Sequence, residues 1–299
     1  MPGCLVGSGN VFKLPGIFQA GVMMKAHFYY DLPAEDCGEG SKIAIVPVPF
    51  DGTSTWQKGA DKGPEAILEA SQNVELYDIE TDSEVYKQGI YTDSPVKEDT
   101  PEKMIAAVKE RVEKHTKDGK FVVVIGGEHS VSIGAIQAHA EKKITVLQLD
   151  AHSDLRESYN GSKYSHACAM ARAKEHADIV QVGIRSMDIS EKKSLGKVFF
   201  ARDIHGKKRW EDKVVEALSE NVYITIDLDV FDPSIMPSTG TPEPGGLDWY
   251  EVTGLLKKVA DKRNIIGFDV VELCPNPGNK SPDFLAAKLI YKALSYKFR

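Results

Sequence analysis

A parallel β-sheet covered by helices on both faces is the fold class this chain predicts, and three observations predict it. From residue 42 onward, short runs rich in β-branched residues alternate with longer amphipathic segments. The short runs are nearly continuous in apolar residues, so both faces of each strand are expected to be buried. The longer segments carry start and stop signals of helices.

In chain order the predicted strands are "KIAIVPV", "FVVVIGG", "ITVLQLD", "IVQVGI", "KVFFA", "VYITIDLDV" and "IIGFDVVEL". The predicted helices are "TPEKMIAAVKERVEKHTKDG", "VSIGAIQAHAEK", "HACAMARAKEHA", "RWEDKVVEALSE", "DWYEVTGLLKKVADK" and "DFLAAKLIYKALSYK". In the first helix, Thr100 reads as an N-cap, Pro101 fits the first turn and Gly119 ends the run. The stretch "DPSIMPSTGTPEPGG", residues 232–246, is a long loop after a strand, a usual place for functional residues. No internal repeat or low-complexity linker divides the chain, so residues 25–299 are expected to form one domain. Residues 1–24 read as a flexible N-terminal extension, with translation starting near Met23 or Met24 as the alternative.

Composition narrows the function. The 299 residues are 42% hydrophobic and carry a formal charge of -7, with no run of Lys and Arg to track a phosphate backbone. No nucleic-acid partner is expected, and an acidic surface weakly favours cationic small molecules. Cys4, Cys37, Cys168 and Cys274 form no Cys-x-x-Cys pair, which fits a reducing cytoplasm better than a disulfide framework. No stretch approaches the roughly 20 apolar residues that a membrane span needs.

The chemistry gathers at strand ends, where open parallel sheets bind ligands. "FVVVIGG" leads into Glu128 and His129; "ITVLQLD" into Asp150, His152 and Asp154; "VYITIDLDV" holds Asp227 and Asp229; "IIGFDVVEL" holds Glu272. If extended geometry persists, Asp150, His152 and Asp154 point to one side, as do Asp227 and Asp229. Each motif alone has a structural reading as a cap, an Asx turn or a Gly-mediated turn. Together their histidines and aspartates supply two imidazoles and four carboxylates, more than one ion needs, and oxygen-rich coordination with some imidazole favours Mn(II). Two cations also turn the repulsion among four acids into attraction, and they lower the pKa of a shared water towards about 7.

At these residues the chain resembles the ureohydrolases, the arginase and agmatinase family, and most of all its agmatinases. The resemblance runs from about residue 42 to the C-terminus through "GADKGPEAI", "GGEHS", "DAHSD", "DLDVFDP", "TGTPEPGG" and "FDVVEL". It implies a three-layer α/β/α sandwich around a mostly parallel sheet of about eight strands. It implies two Mn(II) per chain, one held by His129 and Asp154, the other by His152 and Asp229, with Asp150 and Asp227 bridging. Glu272 would pair with a planar guanidinium, His166 would serve the leaving amine, and Asp188 and Thr241 would face the substrate. A helix N-cap is the alternative for Asp188.

Two departures bear on specificity. "GGEHS" has Glu128 where arginases carry Asp, and Arg156 stands where arginases place an Asn that reads the amino-acid end of arginine. A substrate without that carboxylate is therefore expected, with agmatine yielding putrescine and urea. Another guanidine, or a catalytically silent relative with a binding role, is the alternative. Homotrimers or homohexamers are implied by the resemblance. Cys168 and Cys274 are expected to be buried, inert thiols. His27, His115, His139, His176 and His205 read as surface or helix residues, and Trp56 and Trp249 as core, with the pocket mouth as the alternative.

Overall fold

The computed structural model describes residue 32, residues 34–140 and residues 143–299; the expected extension at 1–24, with Cys4 and His27, lies outside the described residues. The strands are β1 (Ile43–Val48), β2 (Ile90–Thr92), β3 (Phe121–Gly126), β4 (Ile144–Leu149), β5 (Asp178–Val182), β6 (Lys197–Phe199), β7 (Asn221–Asp227) and β8 (Asn264–Val271). The helices are α1 (Ala34–Cys37), α2 (Gly63–Ser71), α3 (Pro101–Lys117), α4 (Val131–Gln137), α5 (Ala169–Ala173), α6 (Ala201–Ile204), α7 (Trp210–Ala217), α8 (Trp249–Lys262) and α9 (Ser281–Lys297). The eight strands form one sheet in the order β2-β1-β3-β8-β7-β4-β5-β6, with every pairing parallel.

Side-chain alternation along the buried strands makes the three layers. In β3, Val123 and Ile125 pack with α2, α8 and α9, while Val122 and Val124 pack with α3, α4 and α5. Helix α3 shows why the covering layer forms. Thr100 Oγ1 accepts the Lys103 N–H, Pro101 occupies the first turn, and Met104, Ile105, Val108 and Val112 form one buried stripe.

The differences from the predicted elements have local causes. Strand β2 is three residues long and has no apolar run to announce it. The segment "HACAMARAKEHA" is not one helix: His166–Cys168 is a 3-10 turn and α5 covers only Ala169–Ala173, because the chain must enter β5 at Asp178. Helix α4 stops at Gln137; Glu141 and Lys142 of the predicted segment lie outside the described residues. His115 is a helix residue of α3, as one of the two alternatives had it, and both it and His139 are buried rather than on the surface. His115 Nε2 meets Asp93 Oδ2 at 2.7 Å, and the His139 ring packs on Tyr223 with centroids 5.4 Å apart.

Burial alone would raise the Asp93 carboxyl, but hydrogen bonds from His115 and Arg111 bring it down to about 2. A depressed folded pKa contributes stability above the unfolded value of 3.8, and the contribution is lost as pH falls through about 2. Asp93→Asn is expected to cost about 1 kcal/mol at pH 7, after allowance for solvent screening, with the deficit vanishing near pH 2. Denaturant titrations across that range check it; a deficit independent of pH would remove Asp93 as the titrating group.

Candidate functional site

The four central strands, adjacent in the order β3-β8-β7-β4, deliver the predicted residues to one edge. After β3, the Gly127 N–H donates to Val48 O and the Glu128 N–H to Phe50 O. A Cβ at Gly127 would lie 2.0 Å from Phe50 O, so only glycine lets the chain cross there and present His129. After β4, Asp154 adopts φ +51, and its carbonyl accepts the Met170 and Ala171 N–H groups. After β8, Glu272 adopts φ +67 and donates its N–H to Gly127 O at 2.7 Å. Two non-glycine residues in left-handed backbone at one edge are strain that the surrounding bonds must hold in place.

The extended geometry expected for "DLDVF" does not persist. Leu228–Val230 is a 3-10 turn, and Asp227 Oδ1 accepts the Asp229 N–H at 2.9 Å, because an Asp at a strand end readily caps its own turn. The acids still converge. His129, Asp150 and Asp227 form one group, and Asp150, His152 and Asp229 another, each with ligand atoms within 4.8 Å of one another. Asp150 belongs to both groups.

The imidazoles are aimed by hydroxyls and acids behind them. Thr225 Oγ1 donates to Asp269 Oδ1 at 2.7 Å, so it can only accept from His129 Nε2, 2.9 Å away. In the neutral ring His129 Nδ1 is thereby a lone pair. Burial opposes a charge there, but Asp150, Asp154 and Asp227 raise the imidazole well above its ordinary pKa, so Nδ1 holds a proton wherever no cation stands. This nitrogen lies 3.1 Å from Asp150 Oδ2, 3.1 Å from Asp154 Oδ2 and 3.4 Å from Asp227 Oδ2, with none of them in hydrogen-bonding geometry. A buried nitrogen lone pair facing three carboxylates fits a cation. On the other side His152 Nδ1 is 2.8 Å from Asp229 Oδ2.

Electrostatics agree. Burial and the Asp229 and Asp154 charges push Asp150 up to about 7, and burial with Asp229 and Asp150 pushes Asp227 well up. Burial would depress His152 and raise Asp229, but their mutual attraction wins, putting His152 at about 11 and Asp229 at about 2. Protons are thus held between acids and imidazoles wherever cations are not.

Above the acids lies a cleft of about 280 Å³. His152, Asp154, His166, Asp188, Asp227, Asp229, Thr241 and Glu272 all line it, while His129 and Asp150 lie buried beneath. Glu272 Oε1 accepts the His129 N–H at 2.7 Å, and burial with the Glu128 charge raises its carboxyl. Asp188 caps the turn Ile189–Ser194 in a capping box with Glu191 and lines the cleft as well. Trp56 corrects the expectation of core packing: it is 81% exposed, at the cleft mouth. Trp249 does pack on the core, stacked on Phe231. Cys168 and Cys274 are buried, and burial pushes the Cys168 thiol up to about 11.

Some residues that build the site escaped the sequence reading. Asp269, which also accepts from Ser132 Oγ and Tyr223 Oη, announces itself only as an acid inside an apolar strand. Arg185 donates to Asp229 O at 2.6 Å and Glu243 O at 2.8 Å, tying the 232–246 loop to the acids. Arg185 carries no sequence signal for these contacts, nor does Thr53 for its bonds to Glu128.

A cleft at the carboxyl edge of a parallel sheet, floored by two joined His/Asp groups that could hold metal, marks a three-layer α/β/α protein with a candidate metal-dependent active site. The sequence model described as the Arginase family matches residues 41–295. An N(1)-aminopropylagmatine ureohydrolase of Thermus thermophilus is 39% identical, covering 87% of this chain and 91% of that one. An agmatinase of Pyrococcus horikoshii is 33% identical, covering 91% and 97%. The crystal structure of the agmatine ureohydrolase of Thermoplasma volcanium superposes with a TM-score of 0.83 at 31% identity, covering 92% and 95%. The chain belongs to the arginase family and is a ureohydrolase, an enzyme that cleaves guanidino C–N bonds.

A divalent metal ion added to metal-free protein is expected to raise the Tm, because a ligand of the folded state alone stabilises it. Asp229→Ala is expected to lose at least one ion per chain and most activity, by metal analysis and urea release. Two ions retained in that variant would contradict the ligand set.

Proposed function

We propose that the chain is a binuclear manganese ureohydrolase that converts agmatine and water to putrescine and urea. His129 and Asp154 would hold one ion, His152 and Asp229 the other, with Asp150 and Asp227 shared. When bound, the two ions supply charge neutralisation and an acidified water for attack on the guanidinium carbon. The chain's own residues supply the rest. The Glu272 carboxylate accepts guanidinium N–H bonds and orients the planar cation. His166 gives a proton to the leaving nitrogen as its bond to carbon breaks. Asp188 and Thr241 line the path of the aliphatic tail.

The observation that carries the choice of substrate is the state of Arg156. Its Nε lies 3.4 Å from Glu191 Oε1, its Nη2 3.7 Å from Asp188 Oδ2, and its guanidinium sits over the Tyr159 ring. With its charge taken up by two carboxylates, it offers little to a substrate carboxylate. Apart from the grouped acids, the cleft lining sets Asp188, Glu191 and Glu272 against that single guanidinium. Such a lining suits a substrate cationic at both ends.

A second reading is N(1)-aminopropylagmatine, which carries a further amine; the 39% identity to an enzyme named for it and the exposed acid Asp188 at the cleft support it. The resemblance also carries a cytoplasmic trimer or hexamer, which sedimentation would test. Among the described residues no helix is long and apolar enough to cross a membrane.

Urea release from Mn-loaded protein is expected with agmatine or its aminopropyl derivative and to be at least about a hundredfold lower with arginine, the cost of about 3 kcal/mol of unpaired charge. Preference for arginine or guanidinobutyrate would overturn the reading. Glu272→Gln is expected to retain metal while KM rises about tenfold or more. Unchanged kinetics would remove Glu272 from substrate capture.

A further inference from the structure

We infer that Glu128 and Thr53 form a hydrogen-bond relay that holds His166 as the tautomer protonated on Nδ1, leaving Nε2 as its working atom. The tautomer follows from the geometry alone; its catalytic consequence rests on the reading of His166 as proton donor.

Glu128 is fully buried, and its carboxylate is surrounded by donors. Oε1 accepts from Thr53 Oγ1 at 2.7 Å and Ser130 Oγ at 2.6 Å; Oε2 accepts from the Thr53 N–H at 2.6 Å and Ser54 Oγ at 3.4 Å. A hydroxyl has one proton to give, and that of Thr53 is committed to Glu128. Toward His166, Thr53 Oγ1 can therefore only accept. It accepts the His166 backbone N–H at 2.9 Å and lies 3.1 Å from His166 Nδ1. The second contact is a bond only if Nδ1 carries hydrogen. Ser165 Oγ, 3.3 Å from Nδ1, is placed to accept a share of the same proton. The Tyr159 ring stands at 90° to the imidazole, centroids 5.8 Å apart, and fixes its plane.

The remaining nitrogen, Nε2, has no protein partner among the described residues, and His166 lines the cleft. In the neutral ring Nε2 takes up a proton; in the cationic ring it holds one to deliver. Thr53 thus acts as a positioning residue, and Glu128 acts through it. The carboxylate preceding His129, which departs from the arginase pattern, gains a role directed at a different histidine from its neighbour.

The test is nitrogen NMR of the full chain, labelled with 15N-histidine and loaded with diamagnetic Zn(II), with His166→Asn identifying the signal. Wild type and Thr53→Ser are expected to show hydrogen on Nδ1 in the neutral ring. Glu128→Gln is expected to reverse it. With the amide oxygen on the Thr53 N–H, the amide NH2 faces Thr53 Oγ1, whose proton then turns to Nδ1. Thr53→Val is expected to lower kcat of the Mn-loaded enzyme about tenfold or more at nearly unchanged KM, with Thr53→Ser restoring it. Hydrogen on Nε2 in wild type, or a tautomer indifferent to Glu128→Gln, overturns the relay. If the tautomer behaves as stated but His166→Asn keeps full kcat, the proton-donor reading fails and the relay stands. Thermal melts of Thr53→Ser and Thr53→Val separate a folding defect from a lost bond.

Discussion

Four carboxylates, those of Asp150, Asp154, Asp227 and Asp229, are buried against one another at the carboxyl edge of the sheet. Like charges taken out of water in such proximity are tolerated only where something positive stands among them. The rest of the structure answers that constraint. Imidazoles are inserted between the acids, backbone N–H groups are turned toward them, and two residues accept left-handed backbone to complete the ring. The same crowding that is costly for the protein alone is what a bound multivalent cation would relieve. Affinity there is coupled to protons, since those held by Asp150, Asp227 and His152 must leave before an ion binds.

A single device recurs around the site. Asp269, Thr225 and His129 form one series of acid, hydroxyl and imidazole; Glu128, Thr53 and His166 form another. In each, the acid claims the hydroxyl proton and the hydroxyl then dictates which ring nitrogen keeps its hydrogen. In the neutral rings the first series leaves Nδ1 bare among the acids, and the second leaves Nε2 bare at the cleft. Threonine suits the task because its β-branch limits the rotation of the hydroxyl-bearing carbon.

The alternation of apolar runs and amphipathic segments made the layered architecture legible, because buried parallel strands cannot hide their composition. The grouped acids were legible for a related reason: Asp150, His152, Asp154, Asp227 and Asp229 break apolar runs where no turn demands so much charge. What escaped is what depends on distant chain. Thr53 reaches Glu128 across 75 residues, and Thr225 reaches His129 across 96, so neither contact leaves a local pattern. Strand β2 pairs with β1, but its three strand-favouring residues are too few to show a pattern of their own. Trp56 was misjudged because bulk and apolarity suit a core and a cleft mouth alike.

The order of the strands has a consequence for how this molecule breathes. Its rims are β2 and β6, three residues apiece, whereas the segments that carry the grouped side chains sit in the middle of the ladder, paired on both flanks. Thermal fraying begins where backbone bonds are few and one-sided. Fluctuations of that kind die out among the marginal segments, so the reactive floor stays rigid while the periphery loosens and re-forms.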